Sequence, residues 1–170
     1  IDDLKIMQNL SGKICIIGAS GWIGLNALSL LRHNSLLKEV KCFGSTEKKI
    51  NLLDFELTQE PLEKLSDYDE GYFDLLLNFA FLTEDKLVLY GEEEFKYQNS
   101  KLINFIANEV YRLKVRHVVT ISSGAVYRNR EKQNSYGDMK IYEENKFKSL
   151  AKDGKTQVVI PRLFNLSGPF

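Results

Sequence analysis

The stretch that decides the fold runs from Ile14 to Gly24 and reads Ile-Cys-Ile-Ile-Gly-Ala-Ser-Gly-Trp-Ile-Gly. Its first four residues form a continuous apolar run, which is typical of a strand buried on both faces of a parallel sheet. Apolar residues at helical spacing follow from Trp22 to Leu31, so the glycines lie in a turn between a strand and a helix. The stretch therefore predicts the opening unit of an α/β fold.

Short apolar runs and longer amphipathic runs alternate through the rest of the chain. Further strands are predicted at 39–43, about 49–53, 73–79, 115–121 and 156–160, and helices at 92–113 and 137–151. Strands that alternate with helices form βαβ units with right-handed crossovers. We therefore predict an α/β fold over residues 1–170: a Rossmann-type, doubly wound parallel sheet with helices on both faces. Ligands bind such a sheet beyond the carboxyl ends of its strands.

The composition limits the classes of function. The chain has 170 residues, 23 Lys and Arg against 23 Asp and Glu, and 44% hydrophobic residues, which suits one folded domain. Zero net charge argues against nucleic acid as a partner, because phosphates must be neutralised by basic residues. Cys15 and Cys42 lie in apolar runs, which predicts buried free thiols in a reducing, cytoplasmic compartment. No apolar run approaches the roughly 20 residues of a membrane helix. His33 and His117 have no partner at ligand spacing, so no metal site is predicted.

The glycines follow the spacing G-x-x-G-x-x-G between the first strand and the first helix. Gly18 would allow the tight turn, Gly21 would let the backbone approach a pyrophosphate, and Gly24 would let the helix pack on the strand. The free N–H groups and the positive end of the helix dipole would then face the phosphates. A glycine-rich turn without a ligand is the alternative. The context favours a dinucleotide-binding loop.

This loop, with an aromatic residue after its second glycine, resembles that of the extended short-chain dehydrogenase/reductases, the NAD-dependent epimerase/dehydratase family that modifies nucleotide sugars. The resemblance implies a dinucleotide cofactor, NADP or NAD, and a nucleotide-sugar substrate. It also implies that six loop residues contact the cofactor: Gly18, Ser20, Gly21, Trp22, Ile23 and Gly24.

The family carries its chemistry on a Tyr-x-x-x-Lys pair, and the chain has three: Tyr97/Lys101, Tyr136/Lys140 and Tyr142/Lys146. A Tyr-x-x-x-Lys spacing arises by chance often enough that the place of each pair in the chain must decide between the three. The segment 122–127 resembles the family's serine segment, in which Ser123 would hold the reacting oxygen of the substrate. The active tyrosine should follow it at the head of the next helix, which excludes Tyr97, and the segment 135–140 matches the family's "YG-x-x-K" form. The resemblance therefore selects Tyr136/Lys140.

The chemistry explains why these residue types are needed. A free tyrosine has a pKa of about 10, which is too high for a base at neutral pH. An ammonium one helical turn away and an oxidised nicotinamide nearby would lower the pKa of Tyr136. Tyr136 could then take or give a hydroxyl proton while hydride moves. Lys140 could also hold the nicotinamide ribose, and Ser123 would position the reacting oxygen.

The resemblance extends to positions outside the glycine loop and the Tyr/Lys pair. Asp54 and Phe55 are similar to the family's adenine-binding "D-(I/L)" segment, and the stretch 161–169 is similar to the one that leads from cofactor to substrate. The implied cofactor contacts are Asp54, Phe55, Asn78, Ala80, Asn99 and Pro161, and the implied substrate contact is Asn165.

The choice between NADP and NAD depends on the end of the second strand. NAD sites usually place Asp or Glu about 20 residues past the glycines, to bond the ribose 2′-hydroxyl. Here no acid caps the strand, and Ser45, Thr46 and the lysines at 48 and 49 could accept a 2′-phosphate. We therefore favour NADP, and Glu47 leaves NAD as the alternative.

The residues after Ser123 bear on the reaction. Sugar 4,6-dehydratases of the family place an acid pair where Gly124 and Ala125 stand, so the resemblance disfavours dehydration. It implies an epimerase or a 4-keto-sugar reductase. A non-catalytic dinucleotide-binding regulatory or scaffold protein of the same fold is the alternative. Relatives commonly form homodimers through the two long helices.

Three features differ from the family pattern. Arg128 replaces a glycine, only 13 positions separate Ser123 from Tyr136, and the C-terminal substrate lobe does not follow Pro169. The chain also starts at Ile1. We therefore expect the 170 residues to be part of a longer protein.

Overall fold

The computed structural model describes residues 13–34, 36, 39–127 and 135–164. The elements in chain order are β1 (Lys13–Ile17), α1 (Trp22–His33), β2 (Val40–Gly44), β3 (Lys48–Leu52), β4 (Phe55–Pro61), β5 (Phe73–Asn78), α2 (Glu84–Tyr90), α3 (Glu92–Arg112), β6 (His117–Thr120), β7 (Ser122–Ser123), α4 (Ser135–Leu150), β8 (Gln157–Val159) and β9 (Arg162–Leu163). Short 3-10 helices cover Leu62–Asp67, Gly124–Tyr127 and Ala151–Asp153.

Seven strands form one sheet in the order β3-β4-β2-β1-β5-β6-β8, and β7 pairs with β9 beside it. β1 pairs in parallel with β2 on one side and with β5 on the other, so the strand order reverses next to β1. The β2–β4, β5–β6 and β6–β8 pairs are also parallel. The predicted doubly wound parallel sheet is confirmed, and its switch point lies at the glycine turn.

Helices cover both faces of the sheet because alternate residues of the central strands are buried on opposite sides. Ile14 and Ile16 of β1 belong to one core cluster, which also holds Leu28 and Leu31 of α1. Cys15 and Ile17 belong to the other cluster, together with the apolar faces of α3 and α4. Cys15 and Cys42 are buried free thiols, as predicted. Across the described ranges, no helix is both long and apolar enough to cross a membrane.

For one predicted strand, the direction in the sheet was wrong. The run at about 49–53 was expected to be a parallel strand, but β3 is an antiparallel edge strand that forms a hairpin with β4. β4 is the parallel neighbour of β2, and the sequence analysis missed it because polar Glu56, Thr58 and Gln59 interrupt its apolar pattern. The seven-residue helix α2 was missed as well. The strand predicted at 115–121 is shorter in the structure, where β6 covers His117–Thr120, and β7 follows outside the predicted range.

Candidate active site

The glycine turn after β1 is tightly fitted to its neighbours. The Gly18 N–H donates to the Phe43 carbonyl of β2 (2.8 Å), and Gly18 has φ = +82°, which L-residues with a side chain rarely adopt. A Cβ at Gly18 would lie 2.9 Å from the Ala80 nitrogen, and one at Gly24 would lie 2.4 Å from the Gly18 oxygen. Glycine is therefore required at both positions for the turn and the helix to pack as they do.

The N-terminus of α1 is left open on the same side. Gly21 is the N-cap residue, no side chain caps the helix, and its first turn holds no acid. Gly21 is exposed, and a Cβ there would contact only the Gly18 oxygen, at 3.3 Å. Uncapped N–H groups at the positive end of a 12-residue helix suit a phosphate ligand. The turn therefore fits the pyrophosphate of a dinucleotide, with Trp22 and Ile23 beginning the helix beside it.

A cavity of about 300 Å³ lies at the carboxyl edge of β1, β5 and β6. Its lining includes Ile23 of α1, Ala80 after β5, and Ser123, Tyr136 and Lys140. The ring of Tyr136 packs edge-on against Phe81, with ring centroids 5.5 Å apart. The structure therefore brings the selected Tyr/Lys pair, the predicted serine and the start of α1 to one cavity.

The other two Tyr/Lys pairs lie elsewhere. Tyr97 on α3 is 60% exposed and Lys101 is exposed. Tyr142 on α4 is 38% exposed, and its hydroxyl contacts the side-chain oxygen of Asn104 (3.1 Å). Neither tyrosine lines the cavity.

Lys140 is buried at the base of the cavity and held from three directions. Its Nζ donates to the Ile121 carbonyl and to Glu143 Oε2, both at 2.8 Å, and lies 3.6 Å from the centre of the Phe81 ring. Burial lowers the pKa of Lys140, although the neighbouring Glu143 carboxylate acts in the opposite direction. An ammonium has three donors, of which two are used by these acceptors and the third has, among the described residues, no hydrogen-bond acceptor but the face of the Phe81 ring.

Glu143 is a site residue that the sequence analysis missed. It is 2% exposed, and its Oε1 accepts hydrogen bonds from Asn78 Nδ2 (3.1 Å) and Thr120 Oγ1 (3.0 Å). Burial raises the pKa of Glu143, and the Lys140 ammonium opposes that rise. The only sequence signal was a second acid three residues after Lys140. The Lys140–Glu143 ion pair makes the base of the cavity nearly neutral in charge.

The two serines of β7 have different partners. Both line the cavity, but the Ser122 hydroxyl donates its proton to Glu144 Oε1 (2.7 Å) and is buried with that acid. The Ser123 Oγ accepts from the Ala125 N–H (3.1 Å), which leaves its own proton available for a ligand. This geometry suits Ser123, not Ser122, for contact with a reacting oxygen.

Glu144 joins α4 to both strands of the small β7–β9 sheet. Its carboxylate accepts two hydrogen bonds from Arg162 (2.7 and 2.6 Å), one from Ser122 and one from Lys148 (2.9 Å). The Arg162 hydrogen bonds, with those from Lys148 and Ser122, hold the pKa of Glu144 at about 2. Glu144 therefore fixes the segment that carries Ser123 against the helix that carries Tyr136.

We expect the Glu144→Gln variant to lose about 3 kcal/mol of unfolding free energy at neutral pH. The folded pKa lies below the unfolded value of 4.5, so this stability is present above pH 4.5 and is lost as pH falls towards about 2. Urea unfolding at pH 7 and at pH 3 checks the result, with Glu93→Gln, at an exposed acid of α3, as the control. Equal stability of Glu144→Gln and wild type at pH 7 would contradict it.

Several predicted cofactor residues act in the structure as supports. Asn78 is buried, and its Oδ1 accepts from the Ala80 N–H (3.2 Å). Asn99 is fully buried, and its side chain bonds both the N–H (3.0 Å) and the carbonyl (3.4 Å) of Leu82. Asn78 and Asn99 therefore fix the loop after β5 that lines the cavity.

The structure does not place two other predicted contacts in the cavity wall. Pro161 lies outside the cavity wall, and its carbonyl accepts from the Ser122 N–H. Asn165 lies outside the described residues.

Asp54 and Phe55 are not brought to the site. Asp54 lies in the β3–β4 turn, and Arg32 in the last turn of α1 donates to it from Nε (2.9 Å) and Nη2 (2.5 Å). α1 runs away from the glycine turn, so its end and the start of β4 lie at the opposite edge of the sheet. The expected adenine contact was based on taking β3 for a parallel strand. Ser45, by contrast, follows β2 at the carboxyl edge and is exposed.

Metal-ligand clusters are absent from the described part of the chain. No group of three or more His, Cys, Asp or Glu side chains there could hold a metal ion. His33 and His117 lie outside any such cluster.

Solved structures with the same fold catalyse different reactions. The chain superposes on a UDP-glucose 4-epimerase from Brucella ovis in complex with NAD (TM-score 0.71, 16% identity, 91% of this chain and 52% of that one). It also superposes on a GalE-like L-threonine dehydrogenase from Cupriavidus necator (TM-score 0.71, 17% identity, 88% and 53%). A third is TunA, an NAD-dependent NDP-hexosamine 5,6-dehydratase (TM-score 0.70, 20% identity, 92% and 56%). The chain spans about half the length of these structures, and the similarity establishes the fold.

A search among curated proteins gave no match. The sequence model of the NAD dependent epimerase/dehydratase family, in contrast, matches residues 14–170, which include the glycine turn, the serines of β7 and the Tyr136/Lys140 pair. With this match over most of its length, the chain belongs to the NAD dependent epimerase/dehydratase family.

Proposed function

We propose that this chain is the dinucleotide-binding part of an enzyme that transfers hydride reversibly at a sugar carbon of a nucleotide sugar, as an epimerase or a 4-keto-sugar reductase. The observation that carries the proposal is the single cavity shared by Ile23 of α1, Ser123, Tyr136 and Lys140. The bound nicotinamide would supply the hydride acceptor or donor. NADP is the cofactor that we favour, on the residues after β2.

Each side chain has a separate role in this proposal. Tyr136 exchanges a proton with the reacting hydroxyl or carbonyl of the sugar, because it is the titratable hydroxyl in the cavity next to Lys140. Ser123 holds the same oxygen with its free proton. Lys140 would turn its third N–H from the Phe81 ring to hold ribose hydroxyls, while Ile121 and Glu143 fix its position. The Gly18–Gly24 turn binds the pyrophosphate.

The residues after Ser123 support epimerase or reductase chemistry over 4,6-dehydration. A Cβ at Gly124 would lie 2.4 Å from the ring of Phe164, so an acidic side chain there would displace that ring. Ala125 is buried, with 6% of its surface exposed. Neither position therefore offers the acid that elimination of water from a sugar requires.

The Lys140–Glu143 pair also favours a second candidate, a dinucleotide-binding regulatory or scaffold protein. A carboxylate 2.8 Å from Nζ offsets the positive charge that would lower the pKa of Tyr136. The two candidates share the glycine turn and differ in turnover. Homodimerisation through α3 and α4 and a cytoplasmic location stay predictions in either case.

Titration with NADH and NADPH tests the shared part of both candidates. Trp22 is the only tryptophan of the chain and begins α1, so either dinucleotide should change its fluorescence on binding. The complete gene product is then incubated with oxidised cofactor and UDP-glucose or other nucleotide sugars, and the products are separated by chromatography. Binding with conversion supports the enzyme, binding without conversion of any nucleotide sugar supports the scaffold, and no binding contradicts both.

A further inference from the structure

We propose that Gln59, which no sequence motif singled out, determines the cofactor preference of this chain by replacing the usual ribose-binding acid with an uncharged amide. The residue would let the site accept the 2′-phosphate of NADP, which an acid at the end of β2 would repel. The inference rests on the proposed function only in needing a dinucleotide at the glycine turn. It concerns the adenosine end of that ligand, at a distance from Tyr136 along the sheet edge.

The acid is missing because the structure leaves no room for it. NAD-binding sheets of this class place Asp or Glu about 20 residues beyond the glycines, at the end of the second strand. The last residue of β2 here is Gly44, which is buried. A Cβ at Gly44 would lie 2.4 Å from both Cδ and Nε2 of Gln59 and 2.7 Å from its Oε1. The Gln59 amide therefore occupies the space of the absent side chain.

Gln59 reaches this position from β4 and connects the two loops that flank it. It is only 2% exposed. Its Oε1 accepts from the Ser20 N–H of the glycine turn (3.0 Å), and its Nε2 donates to the Thr46 carbonyl beyond β2 (3.0 Å). A carboxylate could accept from Ser20 but could not donate to Thr46. The bridge therefore specifies an amide, and Gln59 acts as a positioning residue beneath the two loops.

Two hydroxyl groups and a lysine beside the bridge offer hydrogen-bond donors to an anionic ligand group. Ser45 and Thr46 are exposed and offer hydroxyl donors. Lys48 is the residue of β3 directly opposite Gln59, so both side chains project from the same face of the hairpin. Lys48 is exposed and has no ion-pair partner within the described residues, whereas Lys49 pairs with Glu56 (3.0 Å). Glu47 is exposed beside them and offsets one of these positive charges.

The test compares NADPH and NADH dissociation constants, measured by Trp22 fluorescence, in the wild type and three variants. Gln59→Glu places a carboxylate in the bridge. Because its lost bond to Thr46 could loosen the loop, the Gly44→Asp/Gln59→Ala double variant restores an acid at the end of β2 with the space cleared for it. Thr58→Glu is the charge-matched control, since Thr58 is exposed and points to the opposite face of β4.

We expect the wild type to bind NADPH at least as tightly as NADH. Each acid-bearing variant should shift the ratio of the two constants towards NADH by about tenfold or more, because a negative charge near the 2′ position repels the phosphate. Thr58→Glu should leave the ratio unchanged. The inference would be overturned if the wild type strongly preferred NADH, or if the acid variants weakened the binding of NADPH and NADH equally. Either result would leave the proposed function intact. Failure to bind either dinucleotide would overturn both.

Discussion

The Tyr136→Phe variant should lose about three orders of magnitude in turnover of its nucleotide sugar. The change removes only the phenolic oxygen, which is the proton-exchanging group that we assign in the cavity. The ring stays, so its edge-on packing against Phe81 (5.5 Å between centroids) is preserved. We therefore expect NADH and NADPH to bind within about twofold of the wild type, as measured by Trp22 fluorescence.

Tyr142→Phe is the matched control. It removes the same atom from the same helix, but that hydroxyl contacts Asn104 at the surface and lies outside the cavity. The control should retain wild-type turnover. Full activity of Tyr136→Phe would reject the assigned role of this residue, and loss of activity in both variants would indicate that α4 itself had been disturbed.

Replacing Gly24 with Ala should weaken the fold and the dinucleotide site together. The added Cβ would lie 2.4 Å from the Gly18 oxygen and 2.5 Å from the Ala19 oxygen, and both contacts are with backbone that cannot rotate away. Overpacking of this kind costs about 1–3 kcal/mol, more than the roughly 1 kcal/mol that Ala gains over Gly in a helix. We expect a lower midpoint in urea unfolding and loss of NADH binding, because α1 must move off the turn.

Gly21→Ala provides the comparison within the same turn. Its Cβ would meet only the Gly18 oxygen, at 3.3 Å, and Gly21 has φ = −77°, which alanine adopts without strain. This variant should keep near wild-type stability yet bind dinucleotides more weakly, because the methyl group stands where the pyrophosphate approaches the backbone. Wild-type stability and binding in Gly24→Ala would show that the close packing of the turn is not needed.

The sequence predicted those parts of the fold whose pattern is local. The buried runs of β1 and β5 and the apolar faces of α3 were identified within one or two residues. β4 was missed because polar residues interrupt its apolar pattern, and the one that is buried, Gln59, is satisfied only by tertiary contacts. The error over β4 also misplaced Asp54, since the order of strands along an edge cannot be read from apolar periodicity alone.

The same distinction holds for the candidate site. Chain order excluded Tyr97, and the match of residues 135–140 to the family motif selected Tyr136 and Lys140. The structure brings both to the cavity with Ser123. The role of Glu143 depends on a hydrogen bond with Asn78, 65 positions away in the sequence. The role of Gln59 depends on a hydrogen bond with Ser20, 39 positions away. Such contacts leave no spacing signature, so a single sequence could not indicate them.

The β3–β4 hairpin also determines how the sheet ends. Without β3, the parallel strand β4 would present unpaired N–H and C=O groups to other molecules, and exposed edges of this kind invite strand-to-strand aggregation. β3 instead places exposed Lys48, Lys49 and Asn51 along that border, and repulsion between lysines opposes docking of a second copy. The opposite border is β8, a strand of only three residues. The sheet is therefore protected against growth by charge on one side and by shortness on the other.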